Sequence, residues 1–393
     1  MLQTLLIPNV SKTGITIEPY LVSDNLKAFV YYKYIEEGRD VKILNLSEDW
    51  NFEDIPEASE YVFTPSAVLD ALNLPFVREC VEVLQRKYPN SKILVGESPS
   101  SAPPDLLPEG CETFQVSLTE DYPSNVYEAA AYIPSLDLKK LQRENKSPLA
   151  CIPTTLGCKN KCAFCANNAP ISRRKAQRIA EDIDRFLYHF PQGRVAFTGP
   201  LDSDRTNRGL LRDIFKNLKP NLPNEITMFA AIPDISNEFF NTFKGYNVSL
   251  NVGIENFNET ILRDMKKITT RDDIEKALSL ILESPITTVY GKIICATPLD
   301  SEEIVRENAS IVKRWGQLFK DKGKSLRVSF EPLWVLPGTH YFETRDSIDT
   351  FQKGNYREEI YDRFPFYRNL GLREDVFIKY LELCQELNNL NQF

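Results

Sequence analysis

The chain has 393 residues, of which 42% are hydrophobic and 26% charged, and its net charge is −8 at neutral pH. Such values are typical of ordinary globular domains, and the length allows two or three of them. The acidic balance disfavours nucleic acid as a partner, and no run of about 18 apolar residues predicts a membrane span. The sequence also shows no secretory signal, so we expect a cytoplasmic protein whose eight cysteines are ligands or buried thiols rather than disulfides.

Residues 1–133 predict a doubly wound, Rossmann-like α/β domain. Its expected elements are strands at 3–10, 41–46, 61–66 and 92–98 and helices at 23–37 and 75–88. Continuous apolar strands that alternate with amphipathic helices are typical of a parallel sheet with helices on both faces. A polar segment bracketed by prolines, 134–148, follows as the expected linker.

From 149 to 340 a strand–loop–helix pattern occurs about six times, which predicts a partial (β/α)6 barrel. The expected helices are 172–190, 207–217, 235–243, one that starts at Thr270 with Asp273 as its capping partner, and one after Asp300. In such barrels reactive groups gather at the C-terminal ends of the strands. Residues 341–393 predict a helical C-terminal region whose last helix carries Cys384.

The segment CIPTTLGCKNKCAFCANNAP, residues 151–170, follows the first barrel strand and contains Cys158, Cys162 and Cys165 in the spacing CxxxCxxC. Clustered thiolates suit a soft metal such as iron or zinc. Structural zinc usually takes four ligands in two separated pairs, so the trio favours an iron–sulfur cluster with one iron left open. A zinc site with Cys151 as the fourth ligand is the alternative.

This spacing, with Phe164 just before the last cysteine, resembles the radical S-adenosylmethionine (SAM) superfamily. The resemblance implies one 4Fe–4S cluster whose open iron binds the amino and carboxylate groups of SAM. It implies one-electron cleavage of SAM to methionine and a 5′-deoxyadenosyl radical. It also implies an electron donor such as flavodoxin or ferredoxin.

Three further segments resemble cofactor-holding positions of that superfamily: VGIENFNETILRDMKK (252–267), TGPLDSD (198–204) and GKIICATP (291–298). The cofactor-binding residues that the resemblance implies are Gly253, Glu255, Thr198, Asp202, Ser203, Arg263 and Lys267. Glu255 would accept the ribose hydroxyls, and Arg263 and Lys267 would pair with the methionine carboxylate. Charges on a solvated loop or helix face are the simpler interpretation of the same residues.

The N-terminal domain resembles that of the cobalamin-binding class of these enzymes, through the segment LVGESPSSAPPDLLPEG at 94–110. The DxHxxG segment of that class, whose histidine ligates cobalt, is absent, and no histidine precedes His189. We therefore expect that cobalamin is possible but that the domain has kept the fold and lost the cofactor.

The whole layout most resembles the epimerases of proteusin-type ribosomal peptides. That resemblance implies a precursor peptide substrate, with leader and core, and L-to-D epimerisation by removal of an α-hydrogen. A cysteine thiol, Cys384 or else Cys295, would return hydrogen from the opposite face. The alternatives are a cobalamin-dependent radical SAM methyltransferase or another radical modification of a peptide backbone.

Overall fold

The computed structural model describes residues 3–7, 40–43, 54–63, 70–97, 109–115, 149–165, 171–198, 207–219, 222, 224–333, 339–343 and 374–390. The strands are β1 (Gln3–Ile7), β2 (Asp40–Ile43), β3 (Glu60–Phe63), β4 (Lys92–Glu97), β5 (Glu112–Gln115), β6 (Leu149–Pro153), β7 (Thr155–Leu156), β8 (Ser172–Arg173), β9 (Arg194–Thr198), β10 (Ile226–Ala230), β11 (Val248–Glu255), β12 (Thr288–Cys295) and β13 (Ser325–Pro332). The α-helices are α1 (Asp70–Lys87), α2 (Ala176–His189), α3 (Asn207–Asn217), α4 (Asn237–Asn241), α5 (Glu259–Asp264), α6 (Arg271–Glu283), α7 (Glu302–Asp321), α8 (His340–Glu343) and α9 (Glu374–Leu390). The chain divides into two compact units near residue 151.

The first unit contains a five-stranded sheet in the order β2-β1-β3-β4-β5, with every neighbouring pair parallel. This is one of the common doubly wound orders, in which the chain reverses its direction across the sheet between β1 and β3. The apolar side of α1 and the residues before β3 supply its core, in which Tyr61 and Leu84 are fully buried. The predicted α/β fold of this region is confirmed. The predicted helix at 23–37 and linker at 134–148 lie outside the described residues.

The second unit contains a six-stranded sheet in the order β13-β12-β11-β10-β9-β6, so its strands follow one another across the sheet in chain order. The pairs from β9 to β13 are all parallel. Helices α2, α3, α6 and α7 each return the chain to the next strand. This is the predicted partial barrel, with the cysteine segment directly after its first strand.

The last helix, α9, packs against β13, which is the edge strand of this sheet. Asn388 of α9 accepts a hydrogen bond from the backbone N–H of Phe330 at 2.7 Å and donates one to the Phe330 carbonyl at 2.8 Å. The amide therefore takes the place that a further strand would occupy on an open sheet edge. Arg306 of α7 also lies 3.7 Å from Glu386 of α9.

Two predicted helix starts have different outcomes. The helix expected from Ser172 begins only at Ala176, because Ser172 and Arg173 form β8 and pair with β7. The helix expected at Thr270 is confirmed with its capping box, since the Thr270 hydroxyl accepts from the Asp273 N–H and the Asp273 carboxylate accepts from the Thr270 N–H. Within the described part of the chain, no helix has both the length and the apolar character that a membrane span needs.

Candidate functional site

The cysteine segment is a loop whose two ends are paired. Strands β7 and β8 run antiparallel, with Thr155 opposite Arg173 and Leu156 opposite Ser172. The loop begins at Gly157, whose φ of +74° is a left-handed conformation that glycine adopts without a steric penalty. The two-stranded ladder thus brings both ends of the loop to one place at the top of β6.

A buried ion pair fixes the base of this loop. The Arg174 guanidinium lies 2.6 Å from the Asp182 carboxylate of α2, and the two side chains are only 4% and 6% exposed. The Arg174 backbone N–H also donates to the Thr154 carbonyl at 3.1 Å. Burial raises the pKa of Asp182, and Arg174 opposes that rise. The carboxylate depends on this guanidinium because an unpaired buried charge is costly.

The middle of the loop is attached to two later segments. The Ala163 N–H donates to the Met265 carbonyl at 2.9 Å, and the Ala163 carbonyl accepts from the Tyr341 N–H at 3.0 Å. The Tyr341 hydroxyl in turn donates to the Asp264 carboxylate at 2.6 Å. The end of α5 and the short helix α8 therefore hold the loop in position next to β11.

All three predicted ligands, Cys158, Cys162 and Cys165, are partly buried in this loop. Burial raises the pKa of Cys162 to about 11, and the nearby Lys267 cation opposes the rise. The other two thiols and Glu255 also act on Cys162 and raise its pKa further. The three thiols, Lys267 and Glu255 are therefore electrostatic neighbours.

In the described part of the chain, no three or more histidine, cysteine, aspartate and glutamate side chains stand close enough to hold a single metal ion. Three thiols on one short loop are the donor set of a soft-metal or iron–sulfur centre. Cys151 lies within β6, and its side chain is outside the described part. A backbone N–H donates to sulfur here, from Asn160 to Cys158 at 3.4 Å, as is common around cluster ligands.

Glu255 ends β11 in an unusual backbone conformation. Its φ is +64°, and the register between β11 and β12 shifts between Val252 and Glu255. Its Oε1 lies 3.4 Å from the Lys267 ammonium. A β-carbon on Gly253 would stand 2.7 Å from that same oxygen, so the carboxylate is folded back over the glycine. A strained non-glycine residue at a strand end is an observation that points to function.

A buried amide network, which the sequence interpretation missed, supports this turn. Asn308 of α7 accepts from the Phe257 N–H at 2.9 Å and donates to the Asn256 side chain at 3.0 Å. The Asn256 side-chain oxygen also accepts from the Asn258 N–H at 2.9 Å. The available signal was a polar residue at 308, between Val305 and Ile311 on the buried face of α7.

The remaining predicted SAM-binding residues differ in position. Arg263 is exposed, and its guanidinium bonds to its own helix, at the Glu259 carbonyl and the Thr260 hydroxyl. Thr198 ends β9, but its side chain is not described, and residues 202 and 203 lie outside the described part. The structure thus brings together the cysteines, Gly253, Glu255 and Lys267, while Arg263 stands apart from them.

The two predicted hydrogen donors, Cys295 and Cys384, are in contact. A hydrogen bond between their thiols, together with burial, raises the pKa of Cys295, so its S–H bond is retained. Cys295 is 0% and Cys384 4% exposed. Cys295 shares a face of β12 with Ile293, which is fully buried, whereas Lys292 on the other face is exposed. The pair therefore lies between the buried face of β12 and α9.

Asp300 lies beside this thiol pair. Burial raises the pKa of its carboxyl from 3.8 to about 6, and a hydrogen bond from the Thr297 N–H at 2.9 Å opposes the rise. Its Oδ1 is buried without a hydrogen-bond partner among the described residues. The Tyr380 phenol of α9 is also nearby. Burial is the main cause that raises its pKa to about 12, and the nearby Asp300 and Cys295 raise it further.

Residues 152–306 match the model of the radical SAM superfamily, so the chain contains a radical SAM domain. The domain implies a 4Fe–4S cluster and SAM as cofactors, and enzymes of this superfamily need a reductant. The fit of the cysteine loop, Glu255 and Lys267 agrees with that implication.

Among curated proteins, the chain is similar to a putative methylthiotransferase of Methanocaldococcus jannaschii, at 24% identity over 249 residues. The match covers 61% of this chain and 52% of the relative, so the chain spans about half the length of that relative. Among solved structures it is similar to the cobalamin-dependent SAM radical enzyme OxsB with aqua-cobalamin and SAM bound, with a TM-score of 0.60 and 14% identity. That match covers 91% of this chain and 62% of OxsB, and it shows a shared fold.

Proposed function

We propose that this protein is an enzyme that cleaves SAM reductively to methionine and a 5′-deoxyadenosyl radical. The observation that carries the proposal is the placing of Cys162, Glu255 and Lys267 as neighbours on three separate segments at one end of the sheet. The three loop cysteines would hold a 4Fe–4S cluster, which would supply the electron and an open coordination position. Glu255 accepts hydrogen bonds from ribose hydroxyls, and Lys267 compensates the negative charge of the methionine carboxylate.

The test is anaerobic reconstitution with iron and sulfide, followed by metal analysis, electron paramagnetic resonance and assay for 5′-deoxyadenosine. We expect about four irons per chain and a resonance that shifts when SAM is added. Cys162→Ala should lose the signal, whereas the matched control Cys80→Ala, a buried thiol of the first unit, should keep it. Bound zinc without a cluster would overturn the proposal.

We propose epimerisation of a residue in a ribosomally made peptide as the final reaction. The deoxyadenosyl radical removes the α-hydrogen and becomes 5′-deoxyadenosine, and a thiol gives its hydrogen atom to the opposite face of the carbon. The resulting thiyl radical takes one electron and one proton to restore the thiol, so each turnover uses two electrons from the donor. Cys295 and Cys384 are neighbours, and their hydrogen bond together with burial keeps the Cys295 thiol protonated. Both are buried between β12 and α9, so the assignment requires α9 to move before a substrate carbon reaches either thiol.

A precursor peptide converted in deuterium oxide tests the epimerisation, since an exchanged thiol would leave deuterium at the α-carbon of the product. We expect Cys384→Ala to form 5′-deoxyadenosine without a deuterated D-residue, and Cys295→Ala distinguishes the two thiols. Because both thiols are covered by α9, peptide binding should also increase their rate of alkylation. A D-residue without α-deuterium would refute the assignment.

A cobalamin-dependent methyltransferase is the second candidate. The strand order of the first unit and the fold likeness to OxsB over 91% of this chain favour it. It requires cobalamin held without a histidine from the first 188 residues, because His189 is the first histidine. The test is incubation with hydroxocobalamin and gel filtration. A retained chromophore would support this candidate, and its loss would remove it.

A further inference from the structure

Three exposed lysines and one exposed isoleucine line a pocket beside the cysteine loop. Lys159 and Lys161 lie within the loop, and Lys266 and Ile268 lie in the segment after α5. Ile268 is 73% exposed. Both segments line one pocket of about 180 Å³, which the ligand Cys162 also lines. We call these four residues the lysine surface.

The lysine surface is positive on a chain whose net charge is −8. A local patch of opposite sign to the rest of the molecule attracts and orients a partner of complementary charge. Exposed apolar side chains next to charged ones are common in protein–protein contacts. The partner that this surface fits is therefore an acidic protein with an exposed apolar side chain at the contact.

The position of the surface indicates what that partner does. Cys162 lines the same pocket, so a protein docked on the lysine surface stands next to the cluster-binding loop. Complexes that transfer electrons are transient and bury less than about 1,200 Å², so a small docking surface is enough for them. Lys267 is not part of the surface, because it pairs with Glu255.

We propose that the lysine surface docks the acidic one-electron donor protein, carrying a flavin or an iron–sulfur centre, that reduces this enzyme. The proposal rests on the proposed cleavage of SAM. The donor is oxidised by one electron, and SAM accepts that electron as its sulfonium carbon–sulfur bond breaks to methionine and the 5′-deoxyadenosyl radical. The docking surface thus determines from which side the electron enters.

The experiment measures binding of an acidic flavodoxin to the reconstituted full-length protein by calorimetry at low and high salt. The test variant is Lys159→Glu/Lys161→Glu/Lys266→Glu. The matched control is Lys216→Glu/Lys313→Glu/Lys320→Glu, which changes three exposed lysines on α3 and α7. We expect wild-type binding to weaken with salt, the test variant to bind at least about tenfold more weakly, and the control to bind within about twofold of wild type.

The same samples are assayed for SAM cleavage with dithionite, which needs no docking. Flavodoxin binding weakened at unchanged iron content supports the proposal, whereas equal flavodoxin binding by both variants overturns it. If wild-type protein does not cleave SAM with dithionite, the proposed function fails separately. If the triple variant loses iron, Lys266→Glu alone, outside the cysteine loop, decides by the same binding measurement. Binding of an acidic oligonucleotide is measured as well. If wild-type protein binds the oligonucleotide but not flavodoxin, and the test variant loses that binding, the proposal is also overturned.

Discussion

The free energy of unfolding of an Asp300→Asn variant should increase relative to that of wild type as the pH rises. The folded protein holds the Asp300 proton up to a pKa of about 6, against an ordinary value of 3.8. Between these values the folded state binds more protons than the unfolded chain, so the carboxyl's contribution to stability is present below pH 3.8 and is lost as the pH rises through 6. Because each pKa unit corresponds to about 1.4 kcal/mol, the full loss is about 3 kcal/mol.

Only part of that loss falls in a convenient range. By pH 5 the Asp300 carboxyl of the unfolded chain is already ionised. This leaves about 1.4 kcal/mol of its contribution to stability to be lost between pH 5 and pH 8. Asparagine cannot ionise, and its side-chain oxygen can still accept the hydrogen bond from Thr297. The gap in unfolding free energy between Asp300→Asn and wild type should therefore widen by about 1.4 kcal/mol over this range, in favour of the variant.

The assay is urea unfolding at several pH values, followed by the fluorescence of tryptophan, since Trp315 is buried on α7 in the same unit. Asp213→Asn, at an exposed carboxylate on α3, is the control and should show no widening. A gap between Asp300→Asn and wild type that stays constant from pH 5 to pH 8 would refute the reasoning.

Three further substitutions test the site. Gly253→Ala should displace the Glu255 carboxylate, because the new β-carbon would stand 2.7 Å from Oε1. We expect SAM binding to weaken about tenfold in equilibrium dialysis, with a change in stability below about 1 kcal/mol. Unchanged affinity would contradict the role assigned to Glu255. Arg174→Met should destabilise the protein by about 3–5 kcal/mol in urea unfolding, whereas Arg174→Met/Asp182→Leu should recover most of this, and an equal loss in both would exclude the ion-pair explanation. Asn308→Leu should cost about 1–3 kcal/mol in the same assay, because the buried Phe257 N–H loses its acceptor, while the Asn256 side-chain oxygen keeps the Asn258 N–H. A loss below about 0.5 kcal/mol would contradict this explanation.

Local patterns were sufficient to predict the fold. Apolar strands that alternate with amphipathic helices determined both parallel sheets, and the capping residues at Thr270 placed the start of α6 to the residue. The helix expected from Ser172 was wrong at its start because pairing between β7 and β8 is a contact across the loop, which local periodicity does not contain. The cysteine spacing indicated the chemistry, but not which charged side chains reach it.

The parts of the site that sequence could not supply are long-range contacts. Arg174 stands in a run of basic residues that looks solvent-exposed, yet it pairs with a buried aspartate of α2. The contact between Cys295 and Cys384 depends on how α9 lies along the edge strand, which no nearby residue encodes. Arg263 and Lys267 looked equivalent on the helix and its following turn, but only Lys267 points toward Glu255.

The ladder of β7 and β8 closes the cysteine loop through backbone hydrogen bonds that involve no cysteine side chain. In zinc fingers the ligands come together only when the metal binds, so metal binding and folding are one event. Here the backbone pairing of Thr155 with Arg173 and the hydrogen bonds of Ala163 offset part of the entropy cost of closing the loop. Removal of the iron by a chelator should consequently leave a cooperatively folded protein that accepts iron and sulfide again.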